Sequence, residues 1–245
     1  MVDSEGGCAG AGHSGVIEPS VVSLEFDHAF ICCSPGAPEG DALVRLGLTE
    51  GSPNTHPGQG TANRRFFFGN AFLELLWVAD PEEARSEPTR RTRLWERWSG
   101  RASNACPFGI VFRSKDTGAG LVPFPTWAYR PAYLPPGLAI GFADGVPLDE
   151  PELVHVPFVH RSGAPGREPT GHALPFREVC GVTIGVPGAG SLSQPSQAVS
   201  SAGLVTYRRT PQHVMELAFP SARDITCDLR PTLPLLLRGV MTKVA

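Results

Sequence analysis

The 245-residue chain has a formal net charge of -3 and is 41% hydrophobic and 18% charged, a globular composition rather than a disordered one. This charge gives no reason to expect a nucleic-acid partner, and no apolar run approaches the roughly 20 residues that span a bilayer. The high counts of 28 Gly and 25 Pro argue against a helical bundle.

Residues 1–20 predict a disordered tail, because the segment is rich in glycine. It lacks the basic start and the apolar stretch of a secretory signal. The six cysteines include no CxxC pair, and the adjacent Cys32 and Cys33 would bridge only with strain. We therefore expect reduced thiols in a cytoplasmic protein.

The next stretch predicts a βαβββ unit. Its first strand, over 24–33, places alternate residues on one face, and these are Leu24, Phe26, His28, Phe30 and Cys32. A short helix follows and ends at Gly47, because glycine suits a C-terminal cap. After a polar, Gly-rich loop, two strands joined by a hairpin turn at Gly69 and Asn70 complete the unit. The helix covers residues 41–46, the loop 52–61 and the two strands 63–68 and 71–78.

A helix is predicted over 81–100, with Leu94, Trp95 and Trp98 on one side. Its arginines are predicted to form a solvated face together with interleaved glutamates, and they are Arg90, Arg91, Arg93, Arg97 and Arg101. Four further strands are predicted over 108–113, 126–130, 138–142 and 153–159. The predicted organisation is a domain of two βαβββ-type units with the inserted helix (21–160), a linker (161–176), a third βαβββ-like unit (177–220) and a C-terminal tail (221–245).

An internal repeat supports this modular organisation. The segment 72–76 matches 214–218 in pattern, and 26–31 matches 179–184. In each case a glutamate closes a unit that opens with an apolar strand. Units of this kind cannot bury both faces of a sheet alone, so we expect them to pair.

His28 and Glu74 are the first candidate site residues, because both lie on strands with apolar neighbours. An ionised carboxylate in that setting is costly unless it is paired or bound to a metal. An imidazole and a carboxylate on adjacent inner strands supply two ligands for a divalent cation. Glu216, the repeat-equivalent of Glu74, is a candidate third ligand, whereas the fourth position falls at Gly181. The alternative is that Glu74 pairs with an arginine and that His28 is a hydrogen-bonded core histidine.

The loop 55–63 is the second candidate, and its alternative is an ordinary solvent loop. His56 is a candidate general base, because the ordinary pKa of histidine lies near 6.5. The polar side chains that would orient an oxygen-rich substrate are Gln59, Thr61 and Asn63. By strand alternation, either Arg64 or Arg65 faces the interior. Arg65 is the candidate clamp for a substrate carboxylate, or else the partner of Glu74 itself.

Taken together, 26–31, 56–63 and 72–76 resemble the opening of the glyoxalase-like domain branch of the vicinal-oxygen-chelate superfamily, and a looser resemblance covers most of the remaining chain. The resemblance implies an α+β fold class, with repeated βαβββ modules that form curved mixed sheets around a cleft. It also implies that His28, Glu74 and Glu216 hold a divalent zinc, manganese, nickel or iron ion. Gly181 departs from the pattern, because it stands where a first-strand ligand would be.

The resemblance leaves three functions open. One is a metal-dependent enzyme that acts on a small oxygen-rich metabolite by isomerase, lyase or dioxygenase chemistry. Another is a metal-free binding and sequestration protein of the bleomycin-resistance type, with Trp77, Trp127 and Tyr129 as apolar contacts. The third is a scaffold with a degenerate site. The expected partner is a small molecule, with no nucleic acid and no membrane, and a homodimer remains open.

Overall fold

The structure is a computed structural model that describes residues 24–115, 122–159, 167–188 and 190–241. The predicted tail at 1–20 lies outside the described residues. The described chain forms an eight-stranded sheet and a five-stranded sheet, together with short helices. None of the helices in these four ranges is long and apolar enough to cross a membrane.

The first module has the predicted βαβββ order. Its elements are β1 (Leu24–Cys32), α1 (Gly40–Leu46), β2 (Asn54–His56), β3 (Thr61–Phe67) and β4 (Phe72–Val78). Strand β1 runs parallel to β4, and β3 lies antiparallel between β4 and β2. Helix α1 ends at Gly47, whose φ of 104° is a left-handed conformation that glycine adopts without strain. The predicted local signals for the helix cap and the hairpin are therefore confirmed.

The second module repeats the strand order of the first. Its strands are β5 (Phe108–Ser114), β6 (Thr126–Tyr129), β7 (Ile140–Ala143) and β8 (Glu152–Val156). Because β5 lies antiparallel beside β1, the two modules form one sheet in the order β2-β3-β4-β1-β5-β8-β7-β6. Between β5 and β6, the residues that the structure describes form no helix, so the predicted βαβββ order is reproduced here only in its strands.

The inserted segment between the modules is not one helix but three. They are α2 (Pro81–Arg85), α3 (Glu87–Arg90) and α4 (Leu94–Ser99). Asp80 caps α2, and the chain turns between α3 and α4 at Arg93, whose φ is 57°. Contrary to the prediction of a solvated arginine face, Arg97 is fully buried and pairs with Glu152 of β8 at 3.3 Å. Arg97 can be buried because the carboxylate of Glu152 and nearby carbonyl groups accept hydrogen bonds from its two terminal nitrogens, although its Nε atom has no hydrogen-bond partner among the described residues.

The third unit departs from the predicted βαβββ order. Its elements are β9 (Gly181–Val186), α5 (Gln194–Ser201), β10 (Thr206–Arg209), β11 (Val214–Ser221), β12 (Ile225–Asp228) and β13 (Leu235–Met241), and the strand order is β10-β9-β11-β13-β12. Helix α5 connects β9 and β10, which are parallel neighbours in the sheet. In the first module, by contrast, α1 connects β1 and β2, which are separated by β4 and β3. The predicted C-terminal tail supplies β12 and β13, because Leu235 and Leu237 are apolar enough to be fully buried.

The five-stranded sheet packs against one face of the eight-stranded sheet. A single apolar core contains Ala29 and Leu73 of the first module, Phe108 of the second, and Met215 and Leu217 of the third unit. The third unit therefore covers one face of the paired modules and leaves the other face free to form a cleft.

The described part of the predicted linker, residues 167–176, packs on the first module. His172 accepts a hydrogen bond from the backbone N–H of Thr49 at 3.0 Å and contacts the carbonyl of Phe67 at 3.0 Å. Phe176 is fully buried and stacks on Phe219 of β11. This segment is thus part of the core, and residues 161–166 lie outside the described residues.

Candidate functional site

A β-bulge in β1 decides which residues face the cleft. Phe26 pairs with Phe112 of β5, but His28 pairs with Val111, so one extra residue, Asp27, stands in β1. The bulge reverses the alternation, because a one-residue shift moves side chains to the opposite face. Phe26 therefore packs in the core shared with the third unit, and His28 faces the other side. The predicted single face from Leu24 to Cys32 is wrong at this point.

Asp27 orients the imidazole of His28. The Nδ1 atom of His28 lies 2.6 Å from Oδ2 of Asp27, while Oδ1 of Asp27 accepts a hydrogen bond from Arg113 at 2.7 Å. Burial acts to raise the pKa of Asp27, but the hydrogen bonds from His28 and Arg113 outweigh it and lower that pKa. Because the ionised carboxylate accepts a hydrogen bond from Nδ1–H, a neutral His28 keeps its lone pair on Nε2. The ring also stacks on Phe72, with centroids 4.1 Å apart.

Glu74 faces the Nε2 atom of His28 across a short gap. It lies on β4 as the register partner of Phe30, and it is 5% exposed. Its Oε2 atom is 3.6 Å from Nε2 of His28, which is too long for a direct hydrogen bond. Its Oε1 atom accepts a hydrogen bond from the side-chain amide of Asn63. Two acceptors, Nε2 and Oε2, therefore lie side by side at the cavity, where one hydrogen-bond donor or cation can contact both of them.

These side chains form one end of a cavity of about 210 Å³ between the two modules. The polar end consists of His28, His56, Gln59, Glu74 and Tyr133. Side chains of the second module form an apolar wall, and they are Val111, Ile140, Phe142, Val154, Val156 and Phe158. Among the described residues that line the cavity there is no lysine or arginine. The cavity thus combines one carboxylate with two imidazoles, two neutral polar side chains and an apolar wall.

His56 is held by its neighbours. Its Nε2 atom lies 3.2 Å from the side-chain amide of Asn54, and its Nδ1 atom lies 2.9 Å from the hydroxyl of Thr61. Burial lowers the pKa of His56, which favours the neutral ring. Since both ring nitrogens have protein partners, His56 orients the loop and is not positioned as the free general base that the sequence predicts.

The predicted substrate-binding residues Gln59, Thr61 and Asn63 are buried and mostly support other side chains. Gln59 donates to the hydroxyl of Thr61 at 2.8 Å and accepts from the hydroxyl of Tyr133 at 3.0 Å. Asn63 accepts from the backbone N–H of Asn54 at 2.8 Å while its amide holds Glu74. Of the three, Gln59 is the one that reaches the cavity.

Arg65 and Glu216 do not join the site. Arg65 is the register partner of Glu74, but its Nε atom donates to the carbonyl of Ser52 at 2.8 Å and its guanidinium lies over the ring of Phe67. Glu216 lies on β11 of the other sheet, where it pairs with Arg208 at 3.0 Å. The prediction that Glu216 is a third ligand beside His28 and Glu74 fails, because the third unit covers the opposite face of the modules.

The donor set does not fit the predicted zinc, manganese, nickel or iron centre. In the first module, Glu74 pairs with Phe30, which lies two residues after His28. In the second module, Val156 pairs in the same way with Arg113, which lies two residues after Val111. Val111 and Val156 therefore occupy the positions where the second module would supply two more ligands. Such ions usually take three or more protein ligands, and no group of three His, Cys, Asp or Glu side chains within the described ranges could hold one.

Sequence reasoning missed two residues of the site. Asp27 carried a signal, because a carboxylate in an apolar strand needs a partner. Tyr133 carried none, since it lies in an irregular segment without a periodic pattern. Trp127 and Tyr129, which were predicted to contact a ligand, pack against Phe142 behind the cavity wall.

Comparisons with known proteins agree with this architecture at the level of the family. A family model described as a glyoxalase-like domain matches residues 26–191. No curated protein sequence matches the chain. A hypothetical protein from Staphylococcus aureus is similar to it at 10% identity, with 89% of this chain and 100% of that chain covered and a TM-score of 0.47.

A mutant of 4-hydroxymandelate synthase from Streptomyces coelicolor is similar at 13% identity and a TM-score of 0.40, with 90% of this chain and 62% of that chain covered. A fusion of a xylose isomerase-like TIM barrel with 4-hydroxyphenylpyruvate dioxygenase is similar at 14% identity and a TM-score of 0.42, with 92% of this chain and 33% of that chain covered. At these values the likenesses carry no argument about function.

Proposed function

The chain belongs to the glyoxalase-like domain family, and from that premise we propose that its paired modules form a binding cleft for a small molecule. The proposal rests on one observation: a cavity of about 210 Å³ has a polar end that comes mainly from the first module and an apolar wall that comes from the second. Small-molecule sites generally combine an apolar lining with a few convergent polar groups. The polar head of the ligand would meet His28 and Glu74, and its apolar body would meet the valines and phenylalanines opposite.

The apolar wall sets the expected affinity of a simple probe. Burying an aromatic ring removes roughly 150 Å² of apolar surface from water, which is worth about 4 kcal/mol at 25 cal/mol per Å². The loss of rotational and translational freedom offsets part of that gain. A ring without a polar head should therefore bind with a Kd of about 1 mM or weaker, since 1 mM corresponds to about 4 kcal/mol.

Indole is a suitable probe for this function, and isothermal titration calorimetry with the wild-type chain is the measurement. Ile140 lines the cavity, so Ile140→Trp would fill it, whereas Val44→Trp adds the same side chain at an exposed position of α1. We expect indole to bind the wild type and Val44→Trp alike and to lose at least about ten-fold in affinity for Ile140→Trp. Thermal melting of each variant checks that it is folded. Equal binding to all three, or no binding to the wild type at indole concentrations above about 1 mM, would refute the cleft as a binding site.

The alternative function is a divalent-metal-dependent lyase, isomerase or dioxygenase, and the hydrogen bond from Nδ1 of His28 to Asp27 favours it. Carboxylates commonly orient metal-binding histidines in this way. Val111 and Val156 argue against a metal enzyme, because valine side chains cannot bind an ion. His28 and Glu74 would then be the two protein ligands of the ion.

Metal analysis of protein purified without chelators decides between the two functions. We expect less than stoichiometric zinc, manganese, nickel and iron, and unchanged indole binding after chelator treatment. Stoichiometric metal that is lost in His28→Ala but retained in Glu216→Gln would favour the metal enzyme instead.

A further inference from the structure

We propose that the ligand of this cleft carries an ammonium group, which contacts both Nε2 of His28 and Oε2 of Glu74 from the cavity that the two side chains line. This inference rests on the proposed binding function and names the chemical class of the ligand: a small amine with an aromatic or aliphatic body. The argument comes from the acceptors in the gap, the charges around it and the rings that line the cavity.

The gap offers acceptors without a donor between them. Nδ1–H of His28 donates a hydrogen bond to Asp27, so in the neutral ring the lone pair lies on Nε2, which is 3.6 Å from Oε2 of Glu74. The other oxygen of Glu74 is already held by the amide of Asn63. An ammonium group has three N–H donors and no acceptor, so it satisfies Nε2 and Oε2 at once.

The charges around the cavity favour a cation. Glu74 is a buried carboxylate, and the described lining of the cavity includes no lysine or arginine to neutralise it. The guanidinium of Arg113 is engaged by Glu25 and Asp27, at 2.6 and 2.7 Å. Arg65 is turned away toward the carbonyl of Ser52. A ligand carboxylate would therefore meet Glu74 without a compensating positive charge, which is unfavourable in a desolvated site.

An ammonium fits better than a metal ion. A divalent ion of the predicted kinds needs further ligands, and Val111 and Val156 cannot supply them. An ammonium needs only hydrogen-bond acceptors and tolerates ring faces around it, because aromatic rings attract cations. Phe30, Tyr133 and Phe142 line the same cavity.

Three probes of matched size separate the head groups: 2-phenylethylamine, 2-phenylethanol and phenylacetate, each titrated calorimetrically into the full chain in mildly alkaline buffer. We expect the amine to bind at least about ten-fold more tightly than the alcohol, because hydrogen bonds to charged groups are the stronger ones. We expect phenylacetate to bind most weakly. This comparison uses the wild type alone, so it does not depend on the folding of any variant.

Glu74→Gln is the decisive substitution, and Glu216→Gln is its matched control on the other sheet. The glutamine can still accept from Asn63, and its amide can donate across the gap to His28, so the fold should persist. We expect Glu74→Gln to lose the preference for the amine while alcohol binding changes less than about three-fold, and Glu216→Gln to keep the preference.

The outcomes distinguish this inference from the function on which it rests. If the alcohol or phenylacetate binds, and Ile140→Trp blocks it, but the amine has no advantage, the cleft binds small molecules and the ammonium inference is overturned. An amine preference that survives in Glu74→Gln also overturns it. If none of the three probes binds and indole does not bind either, the proposed function itself fails.

Discussion

Replacing Arg97 with methionine tests how the inserted helices are fixed to the second module. Arg97 is 1% exposed, and its Nη1 atom donates to the carbonyls of Cys106 and Glu150, both at 2.7 Å, while its Nη2 atom pairs with Glu152 at 3.3 Å. Removing one partner of a buried ion pair costs about 3–5 kcal/mol, because the other charge stays buried and unpaired. Because the carbonyls of Cys106 and Glu150 also lose their hydrogen-bond donor, we expect a loss of stability near the upper end of this range, about 5 kcal/mol. In a domain of this size that lowers the melting temperature by about 10–20 °C.

The free energy of unfolding, measured by urea denaturation, checks this prediction. Arg90→Met is the matched control, since Arg90 lies on the neighbouring α3 with 67% of its side chain exposed, and should change stability by less than about 0.5 kcal/mol. The double variant Arg97→Met/Glu152→Met should recover most of the loss, because apolar side chains can replace a buried pair at little cost. A single variant within 1 kcal/mol of the wild type, or a double variant as unstable as the single one, would refute the reasoning.

The same pair makes the loss depend on pH. Burial raises the pKa of Glu152 above its ordinary value of 4.5, although Arg97 opposes the rise. Between 4.5 and the raised pKa the folded chain holds a proton that the unfolded chain has released, so stability falls as pH rises through that window. In Arg97→Met the pKa of Glu152 should rise further, because Arg97 no longer lowers it, so the window extends to higher pH. The deficit of Arg97→Met should therefore be larger at neutral pH than near the ordinary pKa of the carboxyl.

Two further predictions concern the cavity wall and the segment that precedes β9. A Cβ at Gly109 would clash with the ring of Phe30, so Gly109→Ala should cost about 1–3 kcal/mol in urea denaturation and weaken indole binding, and the prediction fails if both values stay at the wild-type level. Burial lowers the pKa of His172, whose Nδ1 atom accepts from the N–H of Thr49. The unfolded chain then binds the proton first, so the stability due to His172 is present at neutral pH and declines as pH falls below 6.5. His172→Gln should flatten the pH dependence by up to about 1.4 kcal/mol per pH unit, and an unchanged slope in urea denaturation would contradict this.

The sequence predicts the first module well, because its signals are local. The cap at Gly47 and the hairpin turn at Gly69 depend on a few adjacent residues, and both hold in the structure. The convergence of His28 and Glu74 also follows from two apolar strands that become parallel neighbours. These two side chains share a face because of the bulge at Asp27, which simple strand alternation does not reveal.

Long-range partners explain what the sequence left out. Arg97 follows the pattern of a solvated helix face, and its burial depends on Glu152, 55 positions further along the chain. Leu235 and Leu237 lie in a segment for which the sequence predicts a tail. The segment becomes a strand because it pairs with β11. The role of Glu216 depends on which units share a cleft, and a repeat pattern does not encode that choice.

The position of the third unit follows from the absence of a covering helix in the described residues of the second module. In the first module, α1 contributes Leu43 to the core. The second module has no helix in the residues described between β5 and β6, yet the core-facing residues Phe108 and Phe112 of β5 are fully buried. The ring of Phe108 makes an edge-to-face contact with the ring of His213, just before β11, with the ring centroids 6.4 Å apart.

The five-stranded sheet thus supplies the apolar cover that a second helix would otherwise provide. This placement keeps Glu216 away from His28. Within the cleft, the polar side chains come mainly from the first module and the apolar wall comes from the second. This asymmetry favours an ammonium ligand over a chelated metal.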